Sequence, residues 1–108
     1  MPYIKQKVRQ NLDPLIEVLA YQIAYEVEGL TSGAFAGILN YVCTRLAMLV
    51  VEQLFDGMRY WTVALLTGVF KNISDEFYRR VAVPYEDEQI AYNGDVPEYS
   101  FFNSQLKS

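Results

Sequence analysis

The sequence predicts an all-α fold, an antiparallel three-helix bundle with a short C-terminal helix and an irregular tail. Two observations predict it: apolar residues recur at three- and four-residue spacing along most of the chain, and the long runs end at glycine or proline. The chain has 108 residues, of which 52% are hydrophobic. That is enough for one core, so we expect a single helical domain over residues 1–96 and a tail over 97–108.

The first helix is predicted from about Pro14 to Glu28. Asp13-Pro14 is typical of an N-cap followed by proline in the first helical position. Apolar residues follow at helical spacing as far as Gly29, which predicts the stop. Thr31 or Ser32 then supplies a cap for the next helix.

A central helix is predicted over residues 34–55. Its full charges are Arg45 and Glu52, and its apolar residues share one broad half of the helix surface. We therefore expect it to be buried on most of its circumference, with Cys43 as a small buried apolar residue. Its length would suit a membrane span, but Arg45 would then lie near the centre of the bilayer, at a cost of about 2.5–3.5 kcal/mol. We therefore predict neither a membrane span nor a membrane partner.

A third helix is predicted from about Met58, after the break at Asp56-Gly57, until Pro84 stops it. Acidic residues precede basic ones by four positions near its end, an order that stabilises a helix surface. The pairs are Asp75 with Arg79 and Glu76 with Arg80.

A short fourth helix is predicted after Pro84, with acids in its first turn and Asn93-Gly94 as its C-cap. A hairpin around Asn93-Gly94 is the competing interpretation, and Pro97 argues against it. The tail carries aromatic residues in polar company, which either dock on the bundle or bind a partner. They are Tyr99, Phe101 and Phe102.

Composition excludes several function classes. A net charge of −4 disfavours a nucleic-acid partner. With no histidine, the chain lacks histidine-based zinc sites, Ser-His-Asp triads and Cys-His nucleophiles. A single cysteine suits a reducing cytoplasm, which is the predicted location. We predict no cofactor and favour a protein that is not an enzyme.

The acidic residues are candidate metal ligands. Glu86, Asp87, Glu88 and Asp95 form the densest carboxylate group, but their spacing does not match an EF-hand loop, which favours a solvated first helical turn. A magnesium-dependent all-α nucleotide hydrolase would need two carboxylates on one helical face. Glu26 and Glu28 lie about 200° apart on a helix, which argues against it.

Basic and aromatic residues around the end of the third helix carry three open interpretations: pairing on the helix surface, which we favour, an intersubunit contact, or a small anionic ligand. The candidate ligand-binding residues are Arg45, Arg79, Arg80 and Tyr85. The candidate interface residues are Phe77, Tyr78, Tyr99, Phe101 and Phe102.

The chain resembles an uncharacterised family of short bacterial, phage and environmental proteins. The resemblance covers residues 1–96. It rests on Met1-Pro-Tyr-Ile-Lys-Gln6, Leu39-Asn-Tyr-Val-Cys-Thr-Arg-Leu46, Glu76-Phe-Tyr-Arg-Arg-Val81, Pro84-Tyr-Glu-Asp-Glu88 and Asn93-Gly-Asp-Val96. It implies one domain and no catalytic residues. If the protein is phage-encoded, the location becomes the host cytoplasm.

The leading prediction is a non-enzymatic homo-oligomeric interaction protein, because the hydrophobic content and the 15% aromatic content exceed what a small three-helix core hides. A protein partner is also open. The alternatives are a small anionic-ligand binder and, third, the magnesium-dependent hydrolase.

Overall fold

A computed structural model describes residues 3–107. Met1 and Pro2 of the first family motif and Ser108 of the predicted tail lie outside this range. Within it the chain forms five α-helices and one π-helical segment, without strands, which confirms the all-α class. The α-helices are α1 (Gln6–Val27), α2 (Ser32–Leu54), α3 (Tyr60–Phe77), α4 (Val83–Asn93) and α5 (Pro97–Lys107), and the π segment is Tyr78–Ala82.

Helix α1 begins at Gln6, so the predicted start at Pro14 is wrong. The backbone N–H groups of Val8 and Arg9 already donate to the Lys5 carbonyl, at 3.1 Å each. Pro14 therefore lies inside the helix, where it removes one backbone hydrogen bond. The helix continues through it because the preceding residues favour helix and extend the same apolar spacing.

Three glycines separate the elements as predicted. Gly29, Gly57 and Gly94 have φ values of 84°, 92° and 88°, a region that other residues rarely adopt. Gly94 also donates its N–H to the Ile90 carbonyl at 2.8 Å, which closes α4. The short fourth helix is thereby confirmed.

Two predictions for the C-terminal part of the chain are wrong. Pro84 does not end the helical path, since the π segment carries the chain from α3 directly into α4, with Pro84 in the first turn of α4. The tail is not irregular either, because Pro97–Lys107 is a helix. Proline fits a first turn, and Glu98 and Lys107 oppose the partial charges of the two helix ends.

The described chain divides into two compact units, one ending at Thr67 and one starting at Gly68. In the first unit, α1 packs against α2. In the second, the π segment packs against α4. The antiparallel three-helix bundle and the single domain over residues 1–96 stay predictions.

Burial differs sharply from the sequence prediction. Within residues 3–107 the buried side chains are Val51, 7% exposed, and Thr62, 2% exposed. The expected burial of α2 on most of its circumference is wrong for the single chain, and Cys43 is exposed. An apolar helix face is buried only where another element covers it. Helix α2 packs against α1, yet most of its side chains stay exposed, with Ile38 half-buried and Val51 buried among the exceptions.

Candidate interaction surfaces

The π segment is the most irregular part of the second unit. Its defining bond runs from the Val83 N–H to the Tyr78 carbonyl, five residues earlier. Pro84 accounts for the wider turn, because in a regular α-helix its ring would clash with the carbonyl four residues before it. Single π turns inside α-helices often mark functional sites.

Tyr78 connects the π segment to α4. Its hydroxyl donates to both carboxylate oxygens of Glu86, at 3.2 Å and 3.1 Å. This hydrogen bond, together with the negative charge of Glu86, raises the pKa of Tyr78 above the ordinary tyrosine value. The contact joins residues eight positions apart and spans the π turn.

Arg79 pairs with Glu76, three residues earlier, through Nη2 and Oε2 at 2.7 Å, whereas the predicted partner was Asp75, four residues earlier. Both spacings place two side chains on one face of a regular helix. Arg80 makes no ion pair within residues 3–107, and Tyr85 is exposed. Surface pairing, the interpretation favoured from the sequence, therefore applies to Arg79.

Arg45 lies in the first unit, on the exposed surface of α2, whereas Arg79, Arg80 and Tyr85 lie in the second. The structure gathers the last three on the π segment and α4. A shared anionic-ligand site that includes Arg45 stays a prediction.

The predicted interface residues are all exposed. Phe77 and Tyr78 lie where α3 meets the π segment, and Tyr99, Phe101 and Phe102 lie on α5. The Phe101 and Phe102 rings contact each other, with centroids 5.7 Å apart. Their role in an interface stays a prediction, although exposed aromatic rings are what such a role requires.

An open apolar groove between α1 and α2 was not predicted from the sequence. It encloses about 640 Å³ and is lined by Ala20, Tyr21, Ile23, Ala24, Tyr25, Val27, Glu28, Phe35 and Leu39. Alanines on α1 leave the space, and aromatic rings form its walls. Two tyrosines four residues apart on α1, beside two alanines with the same spacing, were the available signal.

Two further features bear on function. Within the described residues, no three Asp, Glu, Cys or His side chains are grouped closely enough to hold a metal ion.

Helix α2 is long and apolar enough to cross a membrane by length and composition, with a mean hydropathy of 1.7 in its best window. One such helix is weak evidence, because core helices of soluble proteins meet the same criteria.

The family resemblance is confirmed. The family model "Domain of unknown function (DUF6899)" matches residues 1–96. The chain belongs to this family. The DUF6899 region includes the groove, the π segment and α4, while α5 with its aromatic residues lies outside it. No curated protein and no solved structure is significantly similar to the chain.

Proposed function

We propose that the protein is a non-enzymatic interaction protein that acts as a homo-oligomer, in which copies cover one another's apolar helix faces. The observation that carries the proposal is the exposure of large apolar side chains along α1, α2 and α3. Soluble monomers rarely leave apolar patches beyond a few hundred Å² open to water. Apolar faces this extensive are expected to be buried against another molecule. A second copy of the chain is a partner that is present wherever the protein is made.

The proposal extends to architecture and location. We place α1, α2 and α3 in a helical bundle completed by helices of other copies, with the Phe77 corner and the α5 aromatic residues as further contacts. Burial of the lone Cys43 in such a bundle suits a reducing cytoplasm, the host's if the protein is phage-encoded.

Light scattering coupled to size exclusion tests the proposal. We expect a mass that is a multiple of 12.4 kDa and unfolding that shifts to higher denaturant as protein concentration rises. Leu46→Lys on the apolar side of α2 should dissociate the assembly, whereas Thr44→Lys, at another exposed position of α2, should not. A cooperatively folded monomer at high concentration refutes the proposal, as does recovery in the membrane fraction until detergent is added.

The anionic-ligand alternative has one supporting observation: Arg80, in the π segment, makes no ion pair with any of residues 3–107. A thermal-shift panel of nucleotides tests it, with Arg80→Gln as the matched variant. Stabilisation without magnesium that Arg80→Gln abolishes would favour this alternative. Phosphate release that requires magnesium would instead favour the hydrolase.

A further inference from the structure

A second apolar stripe on α1 faces away from α2. The residues of α1 that pack towards α2 are Ile23 and Val27, which are half-buried. On the opposite side of the helix lie Leu15 and Val18, which are 69% and 70% exposed. The groove does not account for these two residues, because it is lined further along the helix.

This stripe follows a seven-residue repeat with alternating steps of three and four. Such a repeat keeps one face of a helix towards a partner helix over several turns. Its members are Val8, Asn11, Leu15, Val18, Gln22 and Tyr25. All six are exposed, so the whole stripe is open along α1.

The stripe has the same order of apolar and polar residues in both directions from a point between Ile16 and Glu17. Reversing one copy of α1 about that point places Val8 opposite Tyr25 and Leu15 opposite Val18. It also places the amide of Asn11 opposite the amide of Gln22. A two-fold contact requires this self-complementarity, since each residue then meets its counterpart twice.

The charges at the ends of α1 have the same symmetry with opposite sign. Lys5 and Lys7 lie at its start, and Glu26 and Glu28 at its end, all exposed beside the stripe. Residues that flank the stripe on one side meet residues in the same position of the seven-residue repeat of an antiparallel partner. Lys7 and Glu28 share one such position, and Lys5 and Glu26 share the other. In antiparallel pairing, Lys7 therefore faces Glu28 of the second copy and Lys5 faces Glu26 of the second copy. A parallel pair would instead align like charges at both ends, which is unfavourable.

From these observations, and resting on the proposed function, we infer that α1 pairs antiparallel with α1 of a second copy about a two-fold axis between Ile16 and Glu17. The register also brings Val8 of the second copy to Tyr25, at the rim of the groove, and Ile4 of the second copy to Gly29. Gly29 has nothing within 4 Å of its missing side chain. The exposed apolar start of one copy therefore reaches the rim of the groove of the other at Tyr25.

Cysteine cross-linking tests the register. In a Cys43→Ser background, Lys7→Cys and Glu28→Cys are made as separate proteins, one with an affinity tag, then mixed, re-equilibrated and treated with a short bis-maleimide. We expect cross-links between the two variants, at least about five-fold above those within either variant alone. Cross-linking of Lys7→Cys to itself would show parallel pairing and overturn the inference.

Charge exchange gives a second readout. Lys7→Glu and Glu28→Lys should each weaken association about three- to ten-fold, because each turns two attractive contacts into repulsive ones. The double variant should recover nearly all of it. Both positions are exposed, so the helical circular dichroism signal should stay unchanged.

The failure modes are distinct. A monomer in light scattering overturns the proposed function and this pairing together. An oligomer in which the mixed cross-link is absent, or in which the double variant is as weak as the single ones, overturns the pairing alone.

Discussion

Replacement of Thr62 by valine should stabilise the protein. Thr62 is 2% exposed, and its hydroxyl oxygen has no hydrogen-bond partner among the described residues. A buried hydroxyl without a partner costs about 1–3 kcal/mol relative to solvation in water. Valine has nearly the same shape and a similar helix propensity, so Thr62→Val should recover most of that cost.

Chemical denaturation at fixed protein concentration measures the effect, since an oligomer's stability depends on concentration. We expect the free energy of unfolding to rise by about 1–3 kcal/mol, with a melting temperature higher by roughly 4–8 °C per kcal/mol. Thr67→Val, an exposed position on the same helix, is the control and should change little. A loss of more than about 1 kcal/mol with Thr62→Val would show that the hydroxyl is hydrogen-bonded, and the reasoning would fail.

Two further predictions concern the second unit and the turns. Glu86→Gln should lower the pKa of Tyr78 towards the ordinary value. The Tyr78 titration is obtained by subtracting the ultraviolet titration of a Tyr78→Phe variant from that of the matching protein that keeps Tyr78. Because the pKa of Tyr78 is raised in the folded state, its contact with Glu86 stabilises the fold at pH values below the ordinary tyrosine pKa. This stabilisation is lost as the pH rises through the raised pKa. A Tyr78 titration that Glu86→Gln leaves unchanged would contradict the contact. Gly94→Ala should destabilise by about 1 kcal/mol because of its φ of 88°, whereas Gly37→Ala, inside α2 with open space around it, should stabilise by about 0.5–1 kcal/mol. Denaturation midpoints moving in the same direction would refute this pair.

The sequence predicted the helices and their breaks where the signal is local. Glycine is a local signal for a helix break, so the breaks at Gly57 and Gly94 could be predicted without knowledge of the fold. Both residues have backbone angles that favour glycine. Prolines were less reliable guides. Pro14 lies inside α1 and Pro84 follows a π turn, because flanking residues that favour helix outweighed one lost hydrogen bond.

Burial and the contacts at the π segment could not be predicted in the same way. The apolar half of α2 predicts a core face, but burial depends on which element packs against it, and the sequence does not specify that element. The contact of Tyr78 with Glu86 spans the π segment, whose register a regular 3.6-residue period does not describe. An acid three or four residues before Arg79 can pair with it, and the sequence does not decide between them.

The exposed thiol of Cys43 makes this chain a reporter of its own assembly. It is the single cysteine in the sequence, so a thiol reagent modifies one position per copy without mutagenesis. If assembly covers α2, modification can proceed only as fast as copies separate, and at high reagent concentration its rate becomes the subunit exchange rate. One absorbance trace would then give the lifetime of the oligomer.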